Sequence, residues 1–303
     1  MVSGGTYRHH CSMEELLTVA AVARRIGVAP ATLRTWARRY GLGPTCHEAG
    51  AHRLYSANDL ARLTLMRRLI AAGVAPANAA QQALSSNGEV HVEKILESCE
   101  IRQDVVAAVL SAARSLDCKF MEALLRKDLD KYGVIDSWQE VIAPALVEIG
   151  AEWALTGEGI EVEHLLSEII IQILREKSLS VKNPINGRPV LLASVGEEQH
   201  SLALHALHAA LSESNIECHF LGARTPLDAI STMVSRSAPP AIFLWAQLTQ
   251  NGDPKFYREI PKVRPAPRVI LGGPGWDRKK CVEMPFADGL ALACSEIKQA
   301  IGA

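Results

Sequence analysis

The run Pro189-Val190-Leu191-Leu192-Ala193-Ser194-Val195-Gly196 constrains this chain more than any other stretch of its 303 residues. A strand with one wet face would alternate apolar and polar side chains. This one does not, so it reads as a strand buried on both faces, the mark of a parallel sheet covered by helices. Leu202, Leu204, Leu207 and Leu211 then recur at helical spacing. Between strand and helix lies Glu198-Gln199-His200. An acid and a histidine are thus presented at the carboxyl end of a strand, where open α/β sheets bind ligands. A carboxylate two residues from an imidazole can hold one ring nitrogen and leave the other free for a metal. Two readings stand at this point: a metal ligand with its carboxylate, or a polar loop that happens to carry a histidine.

Strand and helix signals continue to alternate through residues 190 to 300, with further strands at Glu217–Gly222, Ala241–Trp245 and Arg268–Leu271. The second strand ends in Leu221-Gly222-Ala223-Arg224-Thr225-Pro226 and the last in Leu271-Gly272-Gly273-Pro274-Gly275-Trp276. This pattern resembles the cobalamin-binding Rossmann-like domain of methionine synthases and of the CarH/LitR photoreceptor repressors. The resemblance implies that His200 is the lower axial cobalt ligand and Glu198 its hydrogen-bonding partner. It also implies cofactor contacts at Gly222, Ala246, Leu248, Gly272 and Gly273, the paired glycines letting backbone approach the nucleotide tail. Two positions depart from the family pattern. Ala203 stands where the first motif ends in glycine, and Ala246-Gln247-Leu248 stands where Ser-x-Leu is expected. A methyl at 203 narrows the tail channel, and alanine at 246 removes a hydroxyl from the nucleotide loop.

Residues 105 to 180 follow a helical period over about four helices. Within them Trp153 is followed, after nine residues, by Glu163-His164. By itself this reads as a buried tryptophan with a solvated Glu-His pair. It is also similar to the Trp–Glu–His motif of the CarH/LitR helical bundle. That likeness implies that Trp153 packs over the upper cobalt ligand, while Glu163 and His164 recognise an adenosyl group. Light-sensing members carry a histidine directly after the tryptophan, and here Ala154 takes its place.

The amino-terminal segment reads as helix, glycine turn, helix. Leu17 to Val28 has a helical period ending at Gly27, and Pro30 opens a second helix that runs to Tyr40. The second helix turns Leu33 and Trp36 inward and Arg34, Arg38 and Arg39 outward, beside Thr32, Thr35 and Tyr40. A short hairpin with Gly50, His52, Arg53 and Tyr55 follows, then Ser56-Ala57-Asn58-Asp59-Leu60 caps another helix. The whole resembles a MerR-type winged helix-turn-helix. That resemblance implies a second helix in the major groove of double-stranded operator DNA, and wing residues on phosphate. The direct DNA contacts expected are Arg34, Arg38 and Arg53, with Thr32, Thr35, Tyr40 and Tyr55 beside them.

Charge agrees with a DNA reader on a separate body. Residues 1–85 carry ten basic against four acidic side chains, leaving 22 against 29 in the remainder of a chain whose net charge is −1. Seven cysteines without a Cys-x-x-Cys pair argue for reduced thiols rather than disulfides or zinc. No apolar run reaches membrane-spanning length and no signal-peptide stretch opens the chain, so a cytoplasmic location is expected. His205 and His208 share a helix face, where a bis-histidine metal site competes with solvated surface histidines, the expected case.

The fold expected is multidomain, α and α/β. It comprises a MerR-type winged helix over 13–84, a four-helix bundle over 90–181 capping the ligand, and a Rossmann-like domain over 188–303. Polar linkers fall at 85–89 and 182–189, after a disordered lead of about 12 residues. The function implied is a homo-oligomeric (dimeric or tetrameric) transcriptional regulator, not an enzyme, that senses adenosylcobalamin and responds to light. Two alternatives remain. One keeps the DNA binding but senses another tetrapyrrole, such as a bilin, or a protein partner. The other is a corrinoid methyl carrier, which has no need of groove-reading arginines.

Overall fold

The computed structural model describes residues 16–45, 53–86, 95 and 101–303. The expected lead, the hairpin residues Gly50 and His52, and linker residues 87–89 lie outside the described residues. The chain forms two compact units, Met1–Phe120 and Met121–Ala303.

In the first unit run β1 (Leu17–Thr18), α1 (Val19–Ile26), α2 (Pro30–Tyr40), β2 (Leu54–Tyr55), α3 (Ala57–Ala71), α4 (Pro76–Ser85) and α5 (Arg102–Arg114). Leu17 and Thr18, expected to begin a helix, instead pair antiparallel with Tyr55 and Leu54. Thr18 then caps α1, its hydroxyl accepting the Ala21 N–H at 3.3 Å. The turn between α1 and α2 needs glycine twice over. Gly27 has φ +67°, and a Cβ there would stand 3.1 Å from the Cβ of Ser115. Leu33 and Trp36 are buried on the inner face of α2, as their spacing requires. At the start of α3, Ser56 and Asp59 cap one another reciprocally. Asp59 Oδ2 also accepts from the Thr45 backbone at 3.2 Å, so one buried carboxylate ties the segment after α2 to the start of α3.

Helix α5 and the turn after it are held to α3 by charge. Arg68 grips Asp117 with two bonds of 2.8 Å, and Arg67 reaches the same carboxylate at 2.6 Å. Arg67 also donates to the Ser111 carbonyl at 3.2 Å, and the Arg68 guanidinium lies 4.5 Å from the centre of the Phe120 ring. Burial alone would raise the Asp117 carboxyl; hydrogen bonds and charge from Arg68 and then Arg67 overcome it and hold it low. The first of the four helices expected over 90–181 therefore packs in the amino-terminal unit. Apolar periodicity cannot register a contact made by two arginines and an aspartate.

The second unit contains α6 (Cys118–Ser137), which begins just ahead of it, then α7 (Ala143–Thr156) and α8 (Ile160–Ser178). Gly133, at φ 76° and ψ 173°, breaks α6, and Glu213 accepts the freed N–H of Val134 at 3.0 Å. A wide π turn over Trp138–Ile142 leads into α7. Arg126 joins α6 to Glu176 of α8 at 2.6 Å, and Lys177 joins α8 to Asp130 at 2.9 Å.

A five-stranded sheet follows: β3 (Val190–Val195), β4 (Cys218–Thr225), β5 (Ala241–Trp245), β6 (Arg268–Gly272) and β7 (Phe286–Ala287). Every neighbouring pair is parallel, in the order β4-β3-β5-β6-β7. All six residues of β3 are buried, as the opening apolar run requires. Around the sheet lie α9 (Leu202–Glu213), α10 (Leu227–Ser237), the short α11 (Lys255–Arg258) and α12 (Leu290–Ile301). Helix α8 packs along α9. The strand order reverses between β3 and β5, which opens a crevice at their carboxyl ends, the usual ligand position of such sheets.

Candidate functional site

Strand β3 delivers its loop to that crevice. Gly196 turns with φ +61°, the Glu198 N–H returns to the Val195 carbonyl at 3.1 Å, and α9 begins four residues after Glu198. The two chemical residues differ in burial. Glu198 is fully buried, whereas the His200 side chain is 58% exposed.

The Glu198 carboxylate accepts five hydrogen bonds. Oε1 takes the His200 backbone N–H at 2.9 Å and His200 Nδ1 at 2.6 Å. Oε2 takes the N–H groups of Gln247 and Leu248 at 2.9 Å each, and Asn251 Nδ2 at 3.0 Å. Burial pushes the carboxyl upward, but the bonds from Asn251, Leu248 and His200 prevail and hold it down at about 2. It is an anion at neutral pH, and an anion at Nδ1 fixes the proton there. With Nδ1 engaged by the carboxylate, Nε2 of His200 is the ring nitrogen available to a metal, the arrangement of a metal-ligating imidazole with its carboxylate partner. Among the described residues no cluster of three or more His, Cys, Asp or Glu side chains offers a rival all-protein metal site.

Below this loop a cavity of about 600 Å³ enters the α/β layer, within the roughly 300–1,000 Å³ of small-molecule pockets. Its wall is aromatic, with Trp138, Phe243, Trp245, Trp276 and Phe286, and Ala203 of α9 lies on it. The methyl at 203 thus shapes the cavity without closing it. The Trp276 indole donates to the Gly272 carbonyl at 3.0 Å, whereas Trp245 Nε1 is buried without a partner.

Other expected site residues have different surroundings. Ala246 is buried, donates to the Gly272 carbonyl at 3.1 Å and accepts from Gly275 at 2.9 Å. Its loop is anchored through Gln247 and Leu248 to Glu198, with no hydroxyl needed. Gly272 and Gly273 serve the chain's own packing: added Cβ atoms would stand 2.2 Å from the Phe243 ring and from the Ala246 carbonyl oxygen. Gly222, at φ +78°, sits where the register between β3 and β4 slips. Leu248 is 40% exposed beside the crevice. Trp153, in the last turn of α7, is 47% exposed rather than buried, and His164 lies 3.7 Å from Glu163 on the exposed start of α8. No hydrogen bond or ion pair among the described residues joins these three to Glu198 and His200.

His205 and His208 are not solvated, contrary to expectation. His205 is 5% exposed and His208 half-buried, their rings 4.5 and 5.2 Å from the Phe220 ring of β4. Burial, then the Arg175 and His208 charges, pull His205 down to about 4. Helix α9 is covered by β4 on one side and by α8 on the other, so little of it meets water.

On α2, Arg34, Arg38 and Arg39 are exposed and Thr32, Thr35 and Tyr40 half-exposed; the Thr35 hydroxyl donates back to the Ala31 carbonyl at 3.0 Å. Arg53 is half-buried. Tyr55 corrects its expectation: it is fully buried under β1, so it is core and offers no surface to phosphate. Spacing missed Asn251, which completes the Glu198 cage. Its only signal was Asn-Gly in a loop after a strand, and that reads as a turn.

The architecture is that of a helix-turn-helix module followed by a helical and parallel α/β body with a histidine-bearing ligand crevice. Residues 17–85 match the model of the MerR HTH family regulatory proteins. The chain is 25% identical over 279 residues to the HTH-type transcriptional repressor CarH of Myxococcus xanthus, covering 87% of this chain and 88% of the relative. With CarA of the same organism it shares 26% over 271 residues, 86% and 87% of the two. MlrA of Escherichia coli, an HTH-type transcriptional regulator, is 41% identical over 59 residues, 20% of this chain. Among solved structures, a monomethylamine corrinoid protein of Methanosarcina barkeri aligns at TM-score 0.48 and 11% identity, over 67% of this chain and 99% of that one. Residues 17–85 form a MerR-type helix-turn-helix module, and the chain is similar along most of its length to repressors of the CarH type.

Proposed function

We propose that this protein is a cytoplasmic, homo-oligomeric transcriptional regulator that binds operator DNA through α2 and reads a corrinoid, in its adenosyl form, at the β3–β5 crevice. The observation that carries the ligand is the Glu198–His200 pair, a buried carboxylate that engages Nδ1 at 2.6 Å on a histidine whose side chain is well exposed. The residues present fit the group. His200 Nε2 would hold the cobalt, and the aromatic cavity would take the nucleotide tail. Trp153, Glu163 and His164, exposed where α7 ends and α8 begins, would cover the opposite face. A bound adenosylcorrinoid supplies a cobalt–carbon bond that visible light cleaves. The protein's own part is to hold the His200 tautomer, exclude water from the cavity, and place Trp153 where a change on the upper side shifts the helices. Such a switch requires a ligand with different affinities for two assembly states. Ala154 has no ligating atom, so a light-formed state is not trapped by an imidazole from that position.

The experiment is to load the protein in the dark with adenosylcobalamin, desalt it, and record its absorbance beside His200→Ala. Retained corrinoid with a histidine-ligated spectrum that the variant loses is the expected result. An unchanged variant spectrum removes His200 from the site, and retention of biliverdin instead of corrinoid favours a different tetrapyrrole. Gel shifts before and after illumination decide between light and ligand level as the signal, and a missing shift in both overturns the operator-binding reading.

A further inference from the structure

Of all the side chains lining the aromatic cavity, two are charged, Arg278 and Asp288. They pair with each other, and both are well exposed at 60% and 65%, which places the pair at the mouth rather than in the depth. The guanidinium is also backed by the Phe286 ring, 4.9 Å from its centre, so its position does not depend on Asp288 alone. We propose that Arg278 is a specificity-determining residue for the nucleotide tail, exchanging Asp288 for the tail's phosphodiester when the aromatic base enters the cavity. This rests on the corrinoid reading given above.

The chemistry follows from what the cavity offers. Rings at Trp138, Phe243, Trp245 and Trp276 suit a flat apolar base, and no charged side chain stands among them to balance an anion. A ligand joining such a base to a phosphodiester must leave its charge near the opening, where Arg278 stands. Arginine suits the task, because its fork meets two phosphate oxygens at once. Release from Asp288 is inexpensive. An exposed ion pair contributes little, and Asp288 lies just before the first turn of α12, where the helix dipole favours a carboxylate.

The test compares two corrinoids by absorbance titration of the full chain. Cobalamin carries the nucleotide tail; cobinamide has the same ring without phosphate or base. Wild type is expected to bind cobalamin more tightly. Arg278→Gln should weaken cobalamin by about tenfold, as loss of a charge-assisted bond does, and leave cobinamide unchanged. Asp288→Asn should leave cobalamin binding equal or tighter. An unchanged melting temperature in each variant excludes a folding defect. Equal loss for both corrinoids, or no loss for either, overturns the role of Arg278 while the corrinoid reading stands. A wild type that binds neither corrinoid overturns both.

Discussion

Glu198→Gln is isosteric, yet the cage around Glu198 leaves it no good orientation. Five N–H groups converge on the two carboxylate oxygens, two at Oε1 and three at Oε2. A carboxamide has one oxygen, so its NH₂ must face either His200 or the trio from Gln247, Leu248 and Asn251, donor against donor. The carboxyl is held at about 2 against an ordinary 4.5. That difference corresponds to about 3 kcal/mol of folding free energy. Because the folded value is the lower one, the contribution is complete above the unfolded value, about 4.5, and disappears as pH falls towards 2. At pH 7 the variant should therefore lose about 3 kcal/mol, a fall of about 6–12 °C in melting temperature for a body of this size. Tryptophan fluorescence follows chiefly the right unit, since four of the five tryptophans, Trp138, Trp153, Trp245 and Trp276, lie beyond residue 120; Trp36→Phe in both proteins removes the signal of the other unit. The gap between wild type and variant should narrow steadily between pH 4.5 and pH 2. A variant within about 0.5 kcal/mol of wild type at neutral pH, or a gap that ignores pH, would refute the account of the cage.

Asp117→Ala leaves the buried Arg67 and the half-buried Arg68 without their counter-ion, and should cost the amino-terminal unit about 3 kcal/mol, seen as earlier proteolysis of that unit. His205, held near 4, resists protonation in the folded state while the unfolded chain takes a proton near 6.5, so wild-type stability should fall from pH 6.5 to pH 4. His205→Leu should flatten that limb in acid-titrated urea melts. Tyr55→Phe removes a buried hydroxyl that has no partner, so it should be neutral or stabilising in thermal melts and leave DNA affinity unchanged. Arg53→Ala should lower the salt dependence of operator binding by about one unit of slope, whereas Arg38→Ala should relax base preference at one position, both read by titrated gel shifts.

What could be read in advance was whatever a local period or a short spacing encodes. The run from Val190 to Val195 reads as a strand because burial on both faces removes the polar alternation and leaves Ser194 as its one polar side chain. Glu198 and His200 were legible as a pair because two residues of spacing suffice for the contact. Asn251 and the N–H groups of Gln247 and Leu248 were not, since they arrive from another strand about fifty residues on, and a backbone donor carries no sequence signal. Tyr55 looked like a surface residue because the pattern could not foresee that Leu17 and Thr18 would leave their helix to pair over it. The histidines of α9 were misjudged for a related reason. Periodicity gives one buried stripe per helix, and this helix is covered on two sides.

The cage around Glu198 joins three loops. Glu198 follows β3 and grips the loop after β5, and that loop exchanges backbone hydrogen bonds with the one after β6 through Ala246, Gly272 and Gly275. Transplanting the His200 loop alone onto a foreign parallel sheet should then leave the Glu198 carboxylate without three of its five donors and the imidazole poorly anchored, however faithful the copied motif. The portable unit is discontinuous: the stretches 196–200, 246–251 and 272–276 must travel together. The three-letter motif is thus only the visible fragment of the part that divergence has to keep whole.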